Sequence, residues 1–369
     1  MNILRRLPLS RLLLLCALVV AIGVSATALA SALGSAPVAR PATLAVAVHN
    51  ALAAPSVEGV SANVKLTDHL LEGADLASGS NGVAGQLSSS PLISGASGRL
   101  WIAKDGRVRL ELQDEKGDTQ ILYDGHTVRI YDASTNTEYR YKVPAQQTHS
   151  KPEPGGASGH HEAPSLSKIE EAIAHLRKHA KVIGARATDV GGQPAYTVRL
   201  EPDESGSLFG GVELSWDATH GVPLRAAVYS TTSSAPVLEL AATEVSFGPV
   251  ASSVFDITPA PGVKVQEVRT SGASGSGSEA PKSGEHTKLT VHGHGASAVG
   301  VLESKSSSTS KGSSSALPES LPKVKVNGID ATELATPLGT LLSFERAGVR
   351  YVVAGSVSPA AVEAVARGL

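Results

Sequence analysis

The sequence predicts an α+β protein built on an antiparallel sheet, and three stretches carry that prediction. The first is 98–143, GRLWIAKDGRVRLELQDEKGDTQILYDGHTVRIYDASTNTEYRYKV, where alternating apolar and polar residues are punctuated by turn signals at Asp105-Gly106, at Asp124-Gly125 and between Asp132 and Asn136. The second is the hairpin series PAYTVRLEP and GVELSWDATHGVPLRAAVYS, with Asp217 to Gly221 as a turn and Pro223 opening the return strand, where a missing N–H is tolerated. The third is SLSKIEEAIAHLRKHAKVIG, a helix over 165–183 with Leu166, Ile169, Ile173, Leu176 and Ala180 on one stripe and Gly184 as its stop. Such a stripe must bury against something, and the concave face of the sheet is the large surface on offer.

The remaining elements follow in order. TLAVAVHNALAA places Leu44, Val48 and Leu52 at helical spacing behind Thr43 as a cap, and Pro55 ends the helix. VEGVSANVKLTDHLL alternates Val60, Ala62, Val64 and Leu66 against polar residues, the period of a half-buried strand, expected at an exposed edge of the sheet. Residues 72–97 are rich in Gly and Ser and are expected to form a loop or flap, and 146–164 a surface insertion. PVLELAATEVSFG adds a strand. The tail TPLGTLLSFERAGVRYVVAGSVSPAAVEAVARGL reads strand, turn, strand, helix, opened by Ser358-Pro359.

At 369 residues and 41% hydrophobic content the chain has ample material for a core, and with 4% aromatic residues its apolar surface is mostly aliphatic. A formal net charge of −2 with no basic stripe argues against a nucleic-acid partner. The single cysteine, Cys16, lies in the N-terminal apolar run, which leaves the folded part without thiol chemistry or disulfides. That run follows Arg5, Arg6 and Arg11, spans Leu12 to Val24 and ends in Ala28-Leu29-Ala30, a small-x-small cleavage pattern. Residues 1–30 are a signal peptide or an uncleaved membrane anchor, both consistent with an exported, extracytoplasmic protein, secreted or tethered to the cell membrane.

The order helix, strand, hairpin meander containing YDGHTVRIYD, central helix, then WDATHGVPLRA resembles the outer-membrane lipoprotein carrier (LolA-like) superfamily, and the tail GVRYVVAGSVSPAAVEAVA resembles the end of its actinobacterial branch. The resemblance implies a curved antiparallel half-barrel with helices closing the open side and an apolar cavity for the acyl chains of lipids or lipoproteins. It implies no cofactor. Relatives of this shape act as carriers or as sensors that restrain sigma-factor signalling, so a membrane protein partner such as an anti-sigma factor is the alternative reading. The expected organisation is a half-barrel over 41–269, a Gly/Ser linker over 270–286, and C-terminal strands and a helix over 287–369 completing the domain.

Catalytic and metal chemistry find little footing. His286, His292 and His294 lie close together, and His292 and His294 fall on one face of a strand, a geometry open to a transition metal; the plainer reading is a solvated edge in a His-containing linker region. No nucleophile-elbow, phosphate-loop or dinucleotide fingerprint is present, and Glu170-Glu171 read as a solvated helix face. The expected function is non-enzymatic binding, with catalytic and metal residues assigned to none. Its site is the inward apolar stripe: Val60, Val64, Leu100, Ile102, Val108, Leu110, Val128, Ile130, Val198, Leu200, Leu214 and Val228 as cavity lining, beneath a lid helix carrying Leu166, Ile169, Ile173 and Leu176. The alternative for that stripe is a packed core. Trp101 and Trp216 are expected to be packing residues.

Overall fold

The computed structural model describes residues 37–71, 95–115, 117–143, 163–257, 259, 261–268, 288–305 and 321–369. The N-terminal apolar run, residues 72–94 of the stretch expected to form a loop or flap, most of the 146–164 stretch, residues 270–286 and with them His286 lie outside them, whereas Ala96 and Ser97, expected in that flap, open a strand.

Helix α1 (Leu44–Ala53) starts where Thr43 Oγ1 accepts the Val46 N–H at 3.4 Å and ends before Pro55. Twelve strands then build one sheet: β1 (Gly59–Asp68), β2 (Ala96–Ala103), β3 (Val108–Asp114), β4 (Gly117–Tyr123), β5 (Thr127–Asp132), β6 (Thr137–Lys142), and, after helix α2 (Leu166–Leu176), β7 (Ala180–Val190), β8 (Gln193–Pro202), β9 (Phe209–Asp217), β10 (Pro223–Ser230), β11 (Pro236–Phe247) and β12 (Lys264–Val268). Their order is β12-β6-β5-β4-β3-β2-β1-β11-β10-β9-β8-β7, antiparallel throughout except for the parallel β12-β6 pair. The sheet is open.

The meander turns form where the sequence places them, and aspartate is the reason. Asp105 Oδ1 accepts the Arg107 N–H at 3.2 Å beside Gly106 at φ 86°, Asp124 Oδ1 accepts from His126 and Thr127, and Asp132 Oδ1 accepts from Ser134 at 2.9 Å. Gly98 is needed for a different reason. A Cβ there would lie 1.7 Å from the Glu111 carbonyl oxygen, so the close approach of β2 to β3 admits no side chain.

Two expectations are corrected. β1 is not an edge strand: it lies between β2 and β11, with Val60 opposite Phe247 and Ile102, and Val60 and Val64 are each only 3% exposed. Its period-2 pattern marks one buried face and says nothing of pairing, which a strand almost 180 residues downstream supplies. The central helix ends at Leu176 rather than running to 183. Ala180 to Val190 is strand β7, paired with β8, because Val182 and Ile183 are β-branched and gain a ladder there.

The C-terminal strands pair with one another instead of extending the first sheet. β13 (Lys288–His292), β14 (Val299–Lys305), β15 (Lys323–Val326), β16 (Ile329–Thr336), β17 (Gly339–Arg346) and β18 (Val349–Gly355) form a second sheet in the order β13-β14-β18-β17-β16-β15, with helix α3 (Pro359–Arg367) across one face. Tight hairpins dictate this: Asn327 and Gly328 have φ of 49° and 82°, the positive pair that a two-residue turn between twisted strands requires. Val301, Leu342, Val353 and Val362 are fully buried in a core of their own. The two sheets touch where Leu208 N–H donates to the Ser356 carbonyl oxygen at 2.7 Å and Ser230 Oγ donates to that of Pro337 at 2.6 Å.

Candidate functional site

The register sorts the large sheet into two chemically distinct faces. Following the paired residues outward from β1, Val60 meets Ile102, which meets Val108, which meets Tyr123 and then Val128. On the other side Leu66 meets Leu240, then Ala226, then Leu214, then Val198. All these residues share one side. The opposite side carries the charges, including Arg99, Glu111, Glu213 and Arg225, with the amide of Asn63 among them.

Both N-terminal helices lie on the apolar side, over β7 to β10. α1 packs Leu44 and Ala47 onto Tyr196 and Trp216, and α2 adds Ile173. His49 Nδ1 lies 3.0 Å from the Pro164 carbonyl oxygen, which ties α1 to the segment leading into α2. Between helices and sheet is a cavity of about 300 Å³, lined by Leu44, Val48, Ala51 and Leu52 of α1, Ile173 and Leu176 of α2, and Val182, Val198, Leu200, Leu214, Trp216, Gly221 and Pro223 of the sheet. The lining carries no ionisable side chain. Any ligand held there is retained by shape and by removal of hydrocarbon from water.

At one end of the cavity, Asp217, 1% exposed, organises the β9-β10 turn: its Oδ1 accepts the N–H groups of Thr219 and His220 and lies 2.8 Å from His220 Nδ1. His220 also packs on Phe247, ring centroids 4.2 Å apart. Among the described residues the His220 ring makes no other hydrogen bond, so the pair holds a turn in place.

The polar side is held by a guanidinium network. Arg225 donates to Glu213, to Glu239 at 3.1 Å and to the Tyr229 hydroxyl at 3.0 Å, and Arg199 lies 4.0 Å over the Tyr229 ring. Burial alone would lower the Arg225 pKa, but the hydrogen bonds it donates to Glu239, Tyr229 and Glu213 hold it above its ordinary value. Segment 250–257 covers the polar side of β2 to β5, where Arg109 and Arg129 donate to the Val254 and Ile257 carbonyl oxygens. Among the described residues no group of three metal-ligating side chains occurs, and no helix is long and apolar enough to cross a membrane.

The chain is similar to MucB in complex with MucA(peri) (13% identity, TM-score 0.44, covering 87% of this chain and 95% of that one) and to the Pseudomonas aeruginosa MucA/MucB complex (15%, 0.42, 87% and 95%). It is also similar to a LolA superfamily protein from Nitrosomonas europaea (9%, 0.19, 85% and 91%). No protein-family model matches the chain, and no curated protein matches it.

Of the residues singled out from sequence, all twelve stripe positions lie on the apolar side, but they do not all meet. Val198, Leu200 and Leu214 converge on the cavity with Ile173 and Leu176. Val60 and Val64 sit in a core cluster against Leu100, Ile102 and Leu110. Val108, Val128, Ile130 and Val228 are half-buried along the same side. Ile169 is 6% exposed and fixes α2, whereas Leu166 is 39% exposed and lines nothing.

Sequence reasoning missed the share of α1, although the spacing of Leu44, Val48 and Leu52 was a sufficient signal of an apolar stripe. It also missed Val182, concealed in the overlong helix. Trp216, expected to pack, both packs and lines the cavity.

Proposed function

We propose that this protein is a non-enzymatic, extracytoplasmic binder of the acyl chains of lipids or lipoproteins, held between α1, α2 and the apolar face of a curved half-barrel. The observation that carries the reading is the uncharged, aliphatic cavity of about 300 Å³ under the two helices. Curvature is supported by the β7-β8 turn, where Gly191 packs against the Ala242 carbonyl and Gln193 Nε2 donates to that of Val245 at 3.3 Å, although β11 stands three strands away in the sheet order.

Each buried methylene contributes about 0.8 kcal/mol, so a segment of about eight methylenes gains about 6 kcal/mol, an amount that barely meets the cost of association. A cavity at the small end of ligand pockets therefore holds part of one chain, and tighter binding requires it to widen. α2 is the wall suited to move: Ile169 is its one buried residue. This is the lid role of Leu166, Ile169, Ile173 and Leu176, hinged on Ile169.

Titration with an apolar fluorophore tests the reading. The protein binds the dye saturably and palmitate displaces it, and Leu214→Glu, which places a carboxylate at the cavity wall, weakens binding at least tenfold. A dye that finds no saturable site, or that binds the variant equally well, refutes it.

One observation favours a second reading, an envelope-sensing module that binds a membrane partner such as an anti-sigma factor. The side of the second sheet away from α3 leaves Leu289 68%, Val291 59% and Leu302 38% exposed, a contiguous apolar patch suited to a protein surface. Co-purification of a single membrane protein, abolished by Leu289→Ser/Val291→Ser, would support it.

A further inference from the structure

The mouth of the cavity carries a pattern that its interior does not. Leu52 of α1, Leu176 of α2 and Leu214 of β9 line the cavity and are nevertheless 56%, 39% and 41% exposed. Three large aliphatic side chains from three elements thus ring one opening, an arrangement unlike apolar residues scattered singly over a surface. Directly after Leu176 come Arg177 and Lys178, both exposed and without an ion pair among the described residues. His175 and His179 flank them with ring centroids 5.4 Å apart. Lys181, by contrast, is engaged by Glu201 at 3.1 Å.

From this we infer that the cavity mouth docks on an anionic lipid bilayer, with the leucines entering the acyl boundary and Arg177 and Lys178 meeting the headgroups. The inference rests on the acyl-binding reading above and adds the route: a chain passes from bilayer to cavity without crossing water. The rim chemistry selects this occupant. Its anchors are aliphatic and offer no hydrogen-bonding group, while the adjacent charge is basic, and apolar anchors beside unpaired cations are what an anionic interface holds best. The acidic residues of α2, Glu170 and Glu171, stand a turn or more towards its other end.

The test uses the full chain with Cys16→Ser and one introduced cysteine, Leu176→Cys or Leu52→Cys, carrying a polarity-sensitive fluorophore, with Lys104→Cys on the β2-β3 turn as the control. In vesicles of phosphatidylglycerol and phosphatidylcholine containing nitroxide-labelled lipid, the labels at 176 and 52 are quenched at least fivefold more than the label at 104. Arg177→Gln/Lys178→Gln, or vesicles of phosphatidylcholine alone, removes most of that difference, because two headgroup contacts together are worth roughly tenfold or more in affinity. Labels at 176 and 52 that stay as water-exposed as the one at 104, or quenching indifferent to the double substitution, overturn the inference. The fluorophore titration separates the two readings: saturable dye binding with no quenching leaves a cavity filled from solution, and quenching with no dye binding sinks the acyl-binding reading together with the route built on it.

Discussion

The Tyr196 hydroxyl donates to the Arg40 carbonyl oxygen at 2.7 Å, fastening the chain ahead of α1 to the middle of β8. Tyr196 is 6% exposed and its ring lies 6.2 Å from that of Trp216, so the bond sits beneath the helix that walls the cavity. Tyr196→Phe keeps the ring packing and leaves the carbonyl unsatisfied. The expected loss is about 1 kcal/mol of stability, read as a lowered denaturation midpoint, with earlier protection loss in α1 by hydrogen exchange. Unchanged exchange in α1 would refute the fastening role.

Gly98 gives a sharper case. Since a Cβ would lie 1.7 Å from the Glu111 carbonyl oxygen, Gly98→Ala forces β2 and β3 apart. The expected cost is about 3 kcal/mol or more, with loss of soluble folded protein, whereas Gly106→Ala, where a Cβ meets nothing but φ is 86°, costs about 1 kcal/mol. Equal effects at the two positions would mean that the close approach of β2 to β3 does not govern the cost at Gly98.

Glu333 in β16 is a liability under α3. Burial, and then the neighbouring charge of Glu363, push its carboxyl pKa above the usual glutamate value, and its Oε2 has no hydrogen-bond partner among the described residues. A carboxylate with a raised folded-state pKa costs stability at neutral pH, and the cost fades as pH falls through that pKa towards the unfolded value. Glu333→Gln is therefore expected to be more stable than the parent at pH 7.5 by roughly a few tenths of a kcal/mol, with the difference vanishing near pH 4. Thermal unfolding at the two pH values checks this, and a difference that grows on acidification would contradict it.

Much of the fold was legible in the chain because it is encoded locally. Thr43, Asp105, Asp124, Asp132 and Pro359 each act on residues within a few positions, and turns and helix starts follow from that chemistry. The period-2 stripes were equally plain, since alternation places Val60, Leu100, Leu110 and Ile130 on one side whatever the pairing. The end of α2 was not, because the helical stripe continued through Ala180 while the gain from pairing Val182 with Leu200 on β8 lies outside any local window.

The sequence by itself determined the turns, the helix starts and which side of the recognised strands is apolar. Only the tertiary structure decided that β11 closes on β1, that the C-terminal strands keep to their own core, and that α1 joins α2 over β7 to β10, so that five of the foreseen residues meet at a cavity while Val60 and Val64 are spent in packing. The physical reason is one of range. Turn chemistry and alternation act over a few residues, whereas pairing and cavity formation depend on contacts between segments more than a hundred residues apart, whose value appears only when the whole sheet is assembled.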